Sequence, residues 1–233
     1  MSSRICKYLI PLFLPLAAWG QAAFTQMSGS PFTGSNFPIA SVIGDFDGDG
    51  TKDFVVIEQN PMLQDLIRFY KGPAFTTTST TVCYISANGC TSMVAGDFDR
   101  NGTLDLAVGM STGIQIFNND GTGQFSAGNF YATSTPVNAI LAFDVDGDGL
   151  LDLAYTRDDV YMSAAGTLAV RKGTGTGAFG SEIAIPTTTT FPRNPIAVDL
   201  NGDGKLDIVV TEADSISSLL NTSSTGTPSF GAV

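Results

Sequence analysis

Histidine does not occur in the 233 residues, and that absence removes a wide range of chemistry. Ser–His–Asp and Cys–His nucleophile systems, His-ligated zinc and histidine pH switching all need an imidazole. Basic residues are scarce too: 11 Lys+Arg stand against 22 Asp+Glu, for a formal net charge of −11. A chain of that sign has little with which to neutralise phosphates, so no nucleic-acid partner is expected. Cysteine occurs 3 times and tryptophan once. Hydrophobic residues nevertheless make up 43% of the chain, which is enough for a packed core and excludes global disorder. Beyond the first twenty residues no apolar run is long enough to span a bilayer.

The first residues read as a targeting segment. Arg4 and Lys7 precede an apolar run from Tyr8 to Trp19, and small residues follow at Ala18 and Gly20. Residues 1–20 are therefore expected to be a secretory signal peptide, cleaved before Gln21, with Ala22 or Ala23 as alternative cleavage points. The apolar run is about a dozen residues with two prolines, short of the roughly 20 that a membrane anchor needs. The mature chain is expected to be secreted, at the cell surface or extracellular, or in a periplasm, with no membrane span. Residues 21–37 read as an N-terminal strand segment. An exported chain left with Cys83 and Cys90, and with a hairpin-turn Asn88-Gly89 between them, predicts a disulfide, two buried thiols being the alternative.

Internal repeats decide the fold class. Four segments share one register: GDFDGDGTKDFVV, GDFDRNGTLDLAV, FDVDGDGLLDLAY and VDLNGDGKLDIVV, with first aspartates Asp45, Asp97, Asp144 and Asp199. A period of about 50 residues marks a repeat architecture. In each copy a short apolar run precedes the acidic loop and a β-branched run follows it. A third run comes about ten residues later, then a Gly-rich turn ending in Phe75, Phe125, Phe179 or Phe230. Runs of four to six residues bounded by Gly, Asp and Asn are strands. Four short strands per repeat predict an all-β chain of β-propeller blades. The four-repeat region is residues 38–233, with blades at about 38–88, 89–135, 136–190 and 191–233.

The acidic loops carry the chemistry. Counting from the first aspartate, oxygen-bearing side chains fall at positions 1, 3, 5 and 9. They are Asp45, Asp47, Asp49 and Asp53 in the first loop, and Asp97, Asp99, Asn101 and Asp105 in the second. The third has Asp144, Asp146, Asp148 and Asp152, and the fourth Asp199, Asn201, Asp203 and Asp207. Hard oxygen ligands at this density suit Ca²⁺, and the backbone carbonyl at position 7 (Thr51, Thr103, Leu150, Lys205) would add another. Up to four ions are expected. Asp-Gly turns alone do not explain the aspartate at position 9, which opens a strand where Asp is disfavoured. Ligand charge predicts tighter sites in the first and third loops than in the second and fourth.

An EF-hand needs a bidentate Glu at position 12 and flanking helices; here position 12 is Val56, Val108, Tyr155 or Val210. The four copies instead resemble the FG-GAP / VCBS repeat family, similar to the calcium-binding blades of integrin α-chain propellers. That resemblance implies four-stranded antiparallel blades with the Ca²⁺ loop joining the first and second strands. Arg100 at position 4 and Lys52 at position 8 depart from the other copies. Seven blades are usual in such proteins and four copies are present, so a partial or open propeller is expected, or a small ring closed by residues 24–37. The fourth blade is expected to lack most of its outer strand.

The expected function is that of a non-enzymatic, calcium-binding adhesion or ligand-binding module for an extracellular protein or glycan. The alternative is a carbohydrate-active enzyme or lectin fragment, resembling polysaccharide-lyase propellers. Tyr70, Lys71 and Tyr131 are the candidate bases for such an enzyme, and they form no recurring constellation. An exposed sheet edge would also allow self-association by strand pairing. Asn101-Gly-Thr and Asn221-Thr-Ser match the glycosylation sequon.

Overall fold

A computed structural model describes residues 37–59, 64–86, 89–157, 167–185, 192–212 and 215–232. The described residues form four sheets of four strands and contain no helix. The first sheet is β1 (Phe37–Gly44), β2 (Asp53–Gln59), β3 (Gln64–Lys71) and β4 (Thr76–Ser86). The second is β5 (Cys90–Gly96), β6 (Asp105–Met110), β7 (Gly113–Asn119) and β8 (Phe125–Ala132). The third is β9 (Val137–Phe143), β10 (Asp152–Arg157), β11 (Thr167–Gly173) and β12 (Phe179–Ile185). The fourth is β13 (Arg193–Val198), β14 (Asp207–Thr211), β15 (Ile216–Asn221) and β16 (Phe230–Ala232). Within every sheet the strands pair antiparallel in chain order. Each sheet is one blade.

Blades stack through their first strands, which touch in the order β1, β5, β9, β13. Three apolar clusters fill the spaces between successive blades. The burial of the second strands follows from this stacking. β6 and β10 are buried at every position, because their sheets are covered on both faces. Both faces must then be apolar, and the sequences DLAVGM and DLAYTR carry hydrophobic runs in place of alternation. β2 and β14, in the end blades, keep half-buried positions.

One residue in each of the first three loops seals the joint to the next blade. Phe46, at position 2 of the first loop, meets Phe69 and Phe125 edge-on at ring distances of 6.5 and 5.8 Å. Phe98 takes the same place against Phe179 at 5.4 Å, and Val145 in the third blade is buried likewise. Leu200, in the same register of the fourth blade, is 48% exposed. Ile196 and Val198 beside it are exposed, as are Phe37, Ile39 and Ile43 on the first blade. Both ends of the row thus present apolar surface, and the architecture is an open, partial propeller.

The outer strand of the fourth blade is short, in line with the sequence: β16 has three residues, against 11, 8 and 7 in β4, β8 and β12. It pairs Leu219 with Ala232, Leu220 with Gly231 and Asn221 with Phe230. The Asn221 sequon is closed, because the side chain is buried and donates to the Val145 and Leu206 carbonyls at 2.8 and 3.1 Å. Residues 1–36, with the leader and the ring-closing segment apart from Phe37, lie outside the described residues. Cys90 is buried in the first cluster, and the side chain of Cys83 is outside the described set, as is their pairing.

Phe46→Ala should cost about 3–5 kcal/mol, since it empties a joint between two blades. Ile43→Ala, at a position 74% exposed, should change stability by less than about 0.5 kcal/mol. Urea denaturation monitored by circular dichroism measures both, and equal effects would contradict the assigned joint.

Candidate metal centres

Each acidic loop joins the first and second strands of its blade, and the four loops share one hydrogen-bond scheme. The aspartate at position 1 accepts from the amide of the glycine at position 6: Gly50 to Asp45 at 2.9 Å, Gly102 to Asp97 at 3.0 Å, Gly149 to Asp144 at 2.8 Å and Gly204 to Asp199 at 3.0 Å. Those glycines have φ between 82° and 89°, a region that costs a side chain about 1–2 kcal/mol. Position 5 shapes the turn: Asp49, Asn101, Asp148 and Asp203 accept from the amide of position 7 at 2.7–2.9 Å. Arg100 takes a left-handed φ of 61° where the other loops have glycine.

The ninth-position aspartates are fully buried. Each accepts two backbone amides, one from position 2 of its own loop and one from the end of the third strand. For Asp53 these are Phe46 at 3.0 Å and Gly72 at 2.8 Å, and for Asp105 they are Phe98 at 3.2 Å and Asn119 at 2.9 Å. For Asp152 they are Val145 at 2.9 Å and Gly173 at 2.8 Å, and for Asp207 Leu200 at 2.8 Å and Asn221 at 2.7 Å. The position that turn propensity could not explain is thus the tie between loop and blade.

In the first three loops positions 1, 3 and 9 converge. One carboxylate oxygen from each of Asp45, Asp47 and Asp53 lies within 4.8 Å of the others, and so do those of Asp97, Asp99, Asp105 and of Asp144, Asp146, Asp152. The fourth loop has Asn201 at position 3, so only two carboxylates fill the corresponding places. Asp49 and Asp148 are not in these groups. The donor set fits a hard divalent cation: the buried oxygens Asp45 Oδ1 and Asp146 Oδ1 have no hydrogen-bond donor, and a cation is the partner that all-oxygen chemistry leaves for them. Of the position-7 residues, Thr51 and Thr103 also bond back to position 5 through their hydroxyls at 2.5 and 2.6 Å. Lys205 sends its ammonium to the Ser223 carbonyl at 2.6 Å, and Leu150 supplies an apolar side chain.

Sequence reasoning missed two partners of the loops. Lys71 pairs with Asp47 and Asp49, and Lys172 with Asp146 and Asp148. Asn119 and Asn221 donate across the blade joints to the Phe46 and Val145 carbonyls, at 2.7 and 2.8 Å. The signal was present in the Gly-rich turns, which open with Lys71-Gly72 and Lys172-Gly173 in two repeats and with Asn118-Asn119 and Asn221 in the others. A cleft of about 660 Å³ opens between the third and fourth loops, lined by Asp144, Asp146, Lys205, Ser223 and Thr225 among others.

The candidate bases have structural partners. Tyr70 donates to Glu58 at 3.2 Å, and Tyr131 accepts the Phe179 amide at 2.6 Å with Arg171 stacked 5.0 Å over its ring. Tyr155 donates to Glu182 at 2.6 Å, and burial followed by that carboxylate pushes its phenol well above the usual range.

The family model for the FG-GAP-like repeat matches residues 45–108, 97–155 and 156–210. The chain belongs to the FG-GAP-like repeat family. No curated protein matches it. Among solved structures it is similar to an Agrocybe aegerita lectin described for specific recognition of non-reducing terminal N-acetylglucosamine. That likeness has a TM-score of 0.57 and 17% identity, and covers 84% of this chain and 52% of that one. This FG-GAP-like chain therefore spans about half the length of the lectin. It is also similar, at a TM-score of 0.36 and 11% identity, to BBS1N in complex with ARL6DN, soaked with lead, over 86% of this chain and 89% of that one.

The buried carboxylates give the cation-free chain a pH dependence. Burial, with the other loop carboxylates adding to it, pushes Asp105 and Asp152 up to about 6 from 3.8. A carboxyl whose folded pKa is raised favours folding below its unfolded pKa and loses that contribution as pH rises through the folded value. Asp49, Asp120 and Asp203 are shifted down by hydrogen bonds and act only below about pH 4. In cation-free buffer the melting temperature should therefore be higher at pH 5 than at pH 7. A melting temperature that rises from pH 5 to pH 7 in thermal scans would contradict this.

Proposed function

We propose that this chain is an exported, non-enzymatic calcium-binding module that uses its loop-built blade face to hold an extracellular protein or glycan. The observation that carries the calcium reading is the recurrence of one oxygen-lined loop four times, at one place in each blade, with its buried ninth aspartate. Clustered carboxylates repel one another, and a lysine answers only part of that charge in two of the loops. Carboxylate, amide and carbonyl oxygens select a hard cation such as Ca²⁺ for the rest. Thr51, Thr103, Leu150 and Lys205 would complete the sites through their backbone oxygens. Composition supports the non-enzymatic half of the reading: without histidine, an acid–base site falls to groups such as Tyr70, Lys71 and Tyr131, and each of these is engaged with a neighbouring carboxylate or backbone amide.

A glycan ligand is favoured by one observation, the fold likeness to a sugar-recognising lectin. The cleft between the third and fourth loops, with its hydroxyl and carboxylate lining, is the place where a sugar would meet hydrogen-bonding groups. Fold alone does not carry function, so a glycan array probed with and without Ca²⁺ decides between a carbohydrate and a protein ligand. A polymer-cleavage assay on uronate polysaccharides tests the enzymatic alternative, and released product would overturn the non-enzymatic reading.

Calcium should stabilise the chain. At tenfold excess over Kd each independent site adds about 1.4 kcal/mol, and extracellular modules bind with Kd of about 10⁻⁴–10⁻³ M. Millimolar Ca²⁺ should therefore raise the melting temperature by several degrees, Mg²⁺ should do less, and EDTA should reverse the gain. An unchanged melting curve for verified metal-free protein would refute the calcium reading.

A further inference from the structure

Lys71 and Lys172 occupy one register position of the repeat. The residue after each, Gly72 or Gly173, donates its amide to the ninth-position aspartate, as Asn119 and Asn221 do in the other blades. The preceding residues are thus equivalent, and they read Lys71, Asn118, Lys172 and Leu220 through the four blades. The two lysines fall in the blades whose loops hold four carboxylates; the two uncharged residues fall where the loop has three carboxylates and an asparagine. The alternation is also steric. A Cβ at Gly72 or Gly173 would run into the carbonyl oxygen of Lys52 or Leu151, so these blades have no room for the Asn clamp of the other two.

Each lysine spans positions 3 and 5 of its loop. Lys71 Nζ pairs with Asp47 and lies 2.8 Å from Asp49 Oδ2. Lys172 Nζ lies 2.8 Å from Asp146 Oδ2 and 3.3 Å from Asp148 Oδ2, and it donates to the Gly226 carbonyl of the fourth blade at 3.1 Å. Asp146 is only 3% exposed, and its other oxygen, Oδ1, remains without a donor. The ammonium therefore answers part of the loop's negative charge and leaves oxygens still aimed into the loop.

We propose that Lys71 and Lys172 are tethered counter-cations that compete with Ca²⁺ for the first and third loops. This rests on the calcium reading above and changes its ranking: the loops richest in carboxylate bind Ca²⁺ more weakly than their charge predicts. An arriving ion must displace an ammonium held at high effective concentration by its own strand, or bear its repulsion. In return, the first and third loops keep their shape at low Ca²⁺, whereas the second and fourth, with Asn118 and Leu220 in that register, lean on the ion. Displacing Lys172 also releases its bond to Gly226, which ties calcium in the third loop to the fourth blade beside the cleft.

Calorimetric titration of CaCl₂ into the purified chain tests this, with Lys71→Met, Lys172→Met and the double variant compared with wild type. Each neutral variant should raise the affinity of one site by roughly tenfold and lower the melting temperature of the metal-free protein. Lys71→Arg should keep the wild-type affinity, and Asn118→Met should change nothing. Lys71→Gln and Lys172→Gln repeat the test if a methionine variant does not fold. Calcium binding by wild type with affinity unchanged or reduced in the neutral variants would overturn the competition and leave the calcium reading standing. No calcium binding by any of these proteins would overturn both.

Discussion

Everything in this fold hangs on a buried carboxylate that accepts two backbone amides. Asp53, Asp105, Asp152 and Asp207 each fasten the start of an acidic loop to the end of the third strand. Without this tie the loop would be an exposed turn free to reorient. With it, position 2 is pressed into the joint with the next blade and positions 1 and 3 are turned toward a common point. An aspartate at the head of a buried strand costs desolvation. Two amide hydrogen bonds offset that cost in part, and a divalent cation would offset more.

The blade joints show how one repeat serves two ends at once. Position 2 of a loop is buried by the next blade, and its carbonyl is also met from that side: Asn119 donates to Phe46, Gly177 to Phe98 at 2.9 Å, and Asn221 to Val145. Two of the three joints use an asparagine side chain and the middle one a backbone amide. That alternation matches the lysine alternation, so the chain is better described as two double blades than as four equal repeats. Loop, joint and charge balance change together because they share the residues at the end of the third strand.

The repeats were legible because three constraints act on the same short segment: turn geometry needs Gly at position 6, the tie needs Asp at position 9, and the blade needs an apolar run after it. Strand order followed from the same grammar, as sequential short strands with tight turns pair with their neighbours. The carboxylate groupings were half legible. Spacing put positions 1, 3 and 9 on one loop, where their oxygens converge in the first three blades, but it could not show that position 5 in the first and third loops turns back to shape the backbone and pair with lysine. Lys71 is 24 residues from Asp47 along the chain, and contacts at that separation depend on the register of β3.

Diffraction from crystals grown with millimolar CaCl₂, recorded at a wavelength where calcium scatters anomalously, tests the central claim most directly. The account predicts anomalous peaks in the acidic loops, with the position 1, 3 and 9 oxygens at about 2.3–2.6 Å from the ion, and the highest occupancy where no lysine pairs with the loop carboxylates. Loops without anomalous signal, with the ninth aspartates still holding their two amides, would contradict it: the carboxylates would then be structural and the metal reading wrong.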